Sequence, residues 1–150
     1  MHTEERLNRN KDTQEFFTPE NIVQEMILEV PENFFKELKP FKETSVGTGN
    51  IAVQVIEKFK KYHILEDVLK NIQLGDIMLD NCIECIKRIC GDVSVIAVDP
   101  PKEFKSDGLI KMFKINDILV TWIVQADATR FFWWKKTDQE KLFDNLFSVE

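Results

Sequence analysis

Glu43-Thr44-Ser45-Val46-Gly47-Thr48-Gly49-Asn50, running into Ile51-Ala52-Val53-Gln54-Val55-Ile56-Glu57-Lys58-Phe59, is the stretch that decides the fold. Two glycines one residue apart let the backbone take positive φ and come close to a bound molecule, with no Cβ in the way. The apolar positions after them recur at helical spacing, so the loop opens into a helix whose first N–H groups are free to meet a ligand. A Gly-x-Gly turn before a helix also occurs as a plain strand-to-helix connection, so the neighbouring segments carry the decision.

Upstream, Thr18-Pro19-Glu20-Asn21 predicts a helix start, with Thr18 as N-cap and Pro19 in the first turn. Ile22, Val23, Met26, Ile27 and Val30 follow at helical spacing, and the helix ends near Pro31. A second helical piece, Glu32–Leu38, stops before Pro40, and Phe41–Thr44 reads as a short strand entering the glycine loop. Downstream come a helix from Asn50 to Tyr62, another over 64–71, a strand Ile72–Ile77 and a helix over 80–90. Val93–Val98 and Ile118–Val124 are rich in β-branched residues and read as strands, with Lys102–Asp107 as the loop between. Strand, helix, strand, helix predicts an α/β doubly wound sheet with parallel crossovers and helices on both faces. Ligands then sit beyond the carboxyl ends of the strands, where the glycine loop and Asp76 fall.

The 150 residues suffice for one domain with a real core. It divides into a polar arm (1–14), a globular body (15–134) and a charged, amphipathic tail (135–150). A net charge of −6 argues against gripping duplex nucleic acid through a basic face, so action on DNA requires another subunit to supply phosphate contacts. No apolar run approaches a membrane span and the amino terminus lacks a signal-peptide pattern, which predicts a cytoplasmic protein. Cys82, Cys85 and Cys90 lie on one predicted helix without a second pair or a nearby histidine, so they read as buried thiols and no metal site is expected.

Four segments, in order and spacing, resemble the amino-terminal half of S-adenosylmethionine-dependent adenine-N6 DNA methyltransferases, especially short methyltransferase-like proteins of bacteriophage genomes. The likeness covers roughly residues 11 to 132. Phe16-Phe17-Thr18-Pro19 is similar to the family's first cofactor motif, which implies that Phe17 and Thr18 help hold the methionine carboxylate. Glu43–Asn50 resembles the main cofactor loop, with Thr44 where the family carries proline. The resemblance implies that Glu43 faces the cofactor's ammonium and that Ser45, Gly47, Gly49 and Asn50 line its path. It further implies that Asp76 accepts the ribose hydroxyls, that Ile77 packs on the adenine, and that Asp127 accepts the adenine amino group while Phe131 or Phe132 covers the purine. The implied fold is a partial Rossmann-like methyltransferase sheet, truncated in its carboxy-terminal half, with S-adenosylmethionine as cofactor and DNA as substrate.

The likeness fails at the catalytic motif, which in the family reads Asn/Asp-Pro-Pro-aromatic beyond the Asp127 position. Asp99-Pro100-Pro101 follows a predicted strand, but Lys102 stands in the aromatic position and only 23 positions separate Asp99 from Asp76. It reads as a proline turn; were it catalytic, Asp99 would accept the target amine and Phe104 would be the nearest stacking ring. The sequence given ends 23 residues after Asp127, too soon for the remaining strands and a target-recognition domain. Two functions follow: a methyltransferase, or an inactive methyltransferase-fold protein that binds or regulates through a partner. Leu142-Phe143 and Leu146-Phe147 also resemble peptides that dock replication proteins onto sliding clamps, the bland alternative being one face of a terminal helix.

Overall fold

Five short stretches of β-branched and aromatic residues pair into one sheet in the computed structural model, which describes residues 18–134. They are β1 (Phe41–Glu43), β2 (Ile72–Asp76), β3 (Val95–Val98), β4 (Leu109–Ile115) and β5 (Ile118–Ala126), in the order β1-β2-β5-β4-β3. β1, β2 and β5 run parallel, with Phe41 opposite Ile72 and Leu74 opposite Ile123. β3 and β4 join as an antiparallel meander, β4 pairing with both β3 and β5. The helices are α1 (Glu20–Leu28), α2 (Glu32–Lys36), α3 (Asn50–Phe59), α4 (Leu65–Leu69) and α5 (Leu79–Cys90).

The chain moves from β1 to β2 to β5 in one direction across the sheet. Right-handed crossovers taken in one direction drop their helices on the same face, and a doubly wound sheet needs a reversal to fill the other. The principal core reflects this: Phe35, Val55, Ile56, Phe59, Val68, Cys82, Cys85 and Ile86 from the helices pack on Ile72, Leu74, Phe113, Trp122 and Ile123 of the sheet. Phe34, Phe35 and Phe59 lock α2 to α3 through ring contacts at 5.1–5.6 Å. The expectation of helices on both faces is therefore corrected. Among the described residues the second face carries an apolar layer without an α-helix: Phe104, Met112, Val124, Ala126 and Phe131, flanked by Trp133 and Trp134.

The sheet is mixed rather than all parallel, because Leu109–Ile115, unassigned in the sequence reading, is a strand. It turns into β5 through Asn116 and Asp117 at φ 49° and 68°, the two left-handed residues of a primed hairpin turn. A second correction concerns α1: Pro19, at φ −60° and ψ 148°, occupies the N-cap, and Thr18 is displaced from that role. Thr18 is thereby left one step outside the helix, beside the glycine loop.

Among the described residues no helix is long and apolar enough to cross a membrane. Phe17, the arm 1–14 and the Leu142–Phe147 segment lie outside the described residues.

Candidate functional site

β1, β2 and β5 share a direction, so their carboxyl ends open on one edge of the sheet, and each delivers a carboxylate there: Glu43, Asp76 and Asp127. The glycine loop crosses the same edge. Val46 N donates to Gly75 O at 2.8 Å, and Gly47 N donates to Asp76 Oδ2 at 2.8 Å, so β2 holds the loop from beneath through main chain and side chain together. Gly47 and Gly49 sit at φ 60° and 95°. Gly49 has a second reason to be glycine: a Cβ there would stand 2.8 Å from Cys85 Sγ and 3.3 Å from Val53 Cγ2, so α5 and α3 close on the bare backbone.

Glu43 is the electrostatic oddity of the site. Its Oε1 is shut off from solvent and meets no hydrogen-bond donor. Burial, and after it the neighbouring Asp76 carboxylate, push its pKa up to about 7 from 4.5. Asp76, only 5% exposed, is oriented by Gly47 N and Asn81 Nδ2 as well as by Met78 N, which meets Oδ1 at 2.8 Å. Thr18, Glu43, Ser45, Val46, Gly47, Thr48, Asn50 and Ile51 line a cleft of about 30 Å³ above the loop, room for one small polar group.

The remaining predicted residues take distinct places. Asn50 opens α3 and donates from Nδ2 to Thr18 O at 2.8 Å, which brings Thr18 to the loop. Ile77, 47% exposed, offers an apolar side chain just past Asp76, and Gln125 Nε2 binds its carbonyl at 2.9 Å. Asp127 follows β5 and caps a turn, accepting from Thr129 N at 3.0 Å and Thr129 Oγ1 at 2.7 Å. Those bonds hold its carboxyl below the usual range. Phe131 is a core residue and Phe132 stands 82% exposed.

Asp99-Pro100-Pro101 ends β3, at the opposite edge of the sheet from β1. The register through Lys111 and Gln125 sets Asp99 on the same carboxyl-end side as Asp76, three strand spacings of ~4.8 Å away, roughly 14 Å. Asp99 is exposed and ion-paired, with Oδ1 2.6 Å from Lys111 Nζ, and Pro101 leads into a single 3-10 turn over Lys102–Phe104. Phe104 is buried, in ring contact with Trp134.

The thiols behave as core atoms. Cys82 and Cys85 are fully buried, burial raises both pKa values, that of Cys85 to about 12, and no metal-binding cluster occurs among the described residues. A larger groove of about 760 Å³ lies between α1 and α3; its one lining acid among the described residues, Glu57, pairs with Lys60 of the same groove, and Lys58 pairs with Glu32 outside it. Sequence reading missed Arg88, whose guanidinium reaches the loop from α5. Its position near a helix end gives no sign of that in one dimension.

Searches against protein-family models, curated proteins and solved structures returned no match.

Proposed function

We propose that this chain is an S-adenosylmethionine-dependent adenine-N6 DNA methyltransferase-like protein, holding its cofactor across the carboxyl ends of β1 and β2 toward β5. The observation that carries the reading is Glu43: a buried carboxylate oxygen without a donor, facing a cleft the size of one ammonium group at the lip of a two-glycine loop. An acid kept in that state costs stability unless a cation meets it, and the ammonium of an amino-acid ligand supplies one. Thr18, Gly47 and Asn50 surround the same cleft and suit the methionine end of the ligand. Ribose hydroxyls at Asp76 would share or replace its present donors, Gly47 N, Met78 N and Asn81 Nδ2. Ile77 gives the purine an apolar seat and Asp127 stands at the next strand end.

When bound, the cofactor supplies an activated methyl group on its sulfonium sulfur. The residues of this chain hold and orient the donor; among the described residues Asp99-Pro100-Pro101-Lys102 stands three strands from β2 and has a lysine where a ring would stack on an extruded base. That placement favours, for the chain by itself, the reading of a cofactor-binding protein that reaches DNA through a partner subunit. Photocross-linking of radiolabelled S-adenosylmethionine to the full chain, followed by peptide mapping, tests the site. Label on peptides containing Thr18, Glu43–Asn50 or Ile77 is expected, and label confined to other peptides, or none, would overturn the reading.

A further inference from the structure

We propose that Arg88 is a positioning residue for the glycine loop, acting through Asn50 to fix Thr18 over the cleft; the link to ligand binding rests on the function proposed above. Arg88 Nη1 donates to Thr48 O at 2.9 Å and to Asn50 Oδ1 at 2.8 Å, while Asn50 Nδ2 donates to Thr18 O at 2.8 Å. The orientation of the Asn50 amide follows from its neighbours. A guanidinium only donates, so it requires the amide oxygen, and a peptide carbonyl only accepts, so it requires the amide nitrogen. Arg88 thus dictates which way the amide points, and the amide dictates where Thr18 sits. Without the cation the amide loses one of its two anchors and Asn50 can swing toward solvent, away from Thr18 O, which releases the residue that roofs the cleft.

The location of Arg88 argues for this role over general surface stabilisation. It lies three residues after Cys85 on α5, one helical turn along the same face, and Cys85 is the residue packed directly beneath Gly49. The same face therefore holds the loop twice, by van der Waals contact below Gly49 and by the Arg88 Nη1 bonds to Thr48 and Asn50. Helix electrostatics do not account for the contact, since a cation beside the amino terminus of α3 is on the unfavourable side of that dipole. The Thr48 carbonyl belongs to the loop, ahead of the α3 ladder, and Arg88 is its side-chain donor.

Hydrogen exchange and calorimetry on the full chain test the proposal with Arg88→Met and Arg88→Lys. In Arg88→Met the amides of Thr48–Ile51 and of Glu20–Asn21 should exchange at least fivefold faster, with β2 and the first two turns of α5 unchanged. Arg88→Lys, which keeps the charge but shortens the reach of the donor nitrogen, should fall between. S-adenosylmethionine affinity should drop about tenfold in Arg88→Met and recover in part in Arg88→Lys. Exchange unchanged in the loop would overturn the positioning role whatever the ligand does. If the parent chain takes up no S-adenosylmethionine while loop exchange still responds to Arg88, the function proposed above fails and the brace stands. Equal affinity of the parent chain and Arg88→Met would sever the brace from binding and overturn the proposal.

Discussion

Glu43 concentrates the chemistry of this molecule in one side chain. Its pKa rises from 4.5 in the unfolded chain to about 7 in the fold, so between these values the native state holds a proton that the unfolded state has lost. Stability is therefore full below about pH 4.5 and declines as pH climbs through 7, by on the order of 2 kcal/mol from this group. Thermal melts between pH 5 and 8 should show that decline, and Glu43→Gln should flatten it; a parent curve level across the range would contradict the burial argument. Asp76 plays a different part, since Gly47 N, Met78 N and Asn81 Nδ2 all donate to its carboxylate. Asp76→Ala strips the loop of its brace, and should cost about 2–3 kcal/mol of stability together with most of the affinity for S-adenosylmethionine. Unchanged affinity in a folded Asp76→Ala chain would remove this residue from the site.

At the scale of elements, the loop and the hairpin show how far a one-dimensional pattern reaches. The glycine loop, its strand and its helix were legible because positive φ, helical period and strand period are written in adjacent residues. β4 was not. Lys111 and Lys114 interrupt its apolar run, and register shifts between Leu109 and Lys111 and between Lys111 and Phe113 break the period of two that identifies a strand. Nor was the single helical layer visible, because the sidedness of a crossover depends on strand order, which no local window contains. The position of Thr18 was misjudged for a related reason: the helix started one residue later than its capping pattern suggested, and only the contact with Asn50 shows what Thr18 does instead. Two substitutions probe these elements. Gly49→Ala combines a left-handed backbone with a contact at 2.8 Å to Cys85 Sγ, and should cost about 2 kcal/mol or more, lowering Tm by roughly 5 °C. Asp117→Gly relieves the second left-handed position of the β4–β5 turn and should raise stability by about 0.5 kcal/mol, readable as a small upward shift in denaturant midpoint.

Taken whole, the molecule opens the carboxyl ends of β1, β2, β5 and β3 on one side of its sheet, with the Asp99 corner set three strands from β2 by the intervening β5 and β4. With a net charge of −6 and the proline corner roughly 14 Å from Asp76, the purified chain should transfer little or no methyl to duplex DNA by itself. Robust adenine methylation without a partner would show that Asp99-Pro100-Pro101 had been misjudged. The central claim, however, is that the Glu43–Asp76 edge is a cofactor site, and calorimetric titration of the full chain with S-adenosylmethionine at pH 8, where Glu43 is ionised, tests it most directly. One site per chain with Kd in the micromolar range, about −8 kcal/mol, is predicted, weakening as pH falls to 6 and largely lost in Glu43→Gln. Absence of heat and of binding at millimolar ligand, in a chain that melts cooperatively, would contradict it.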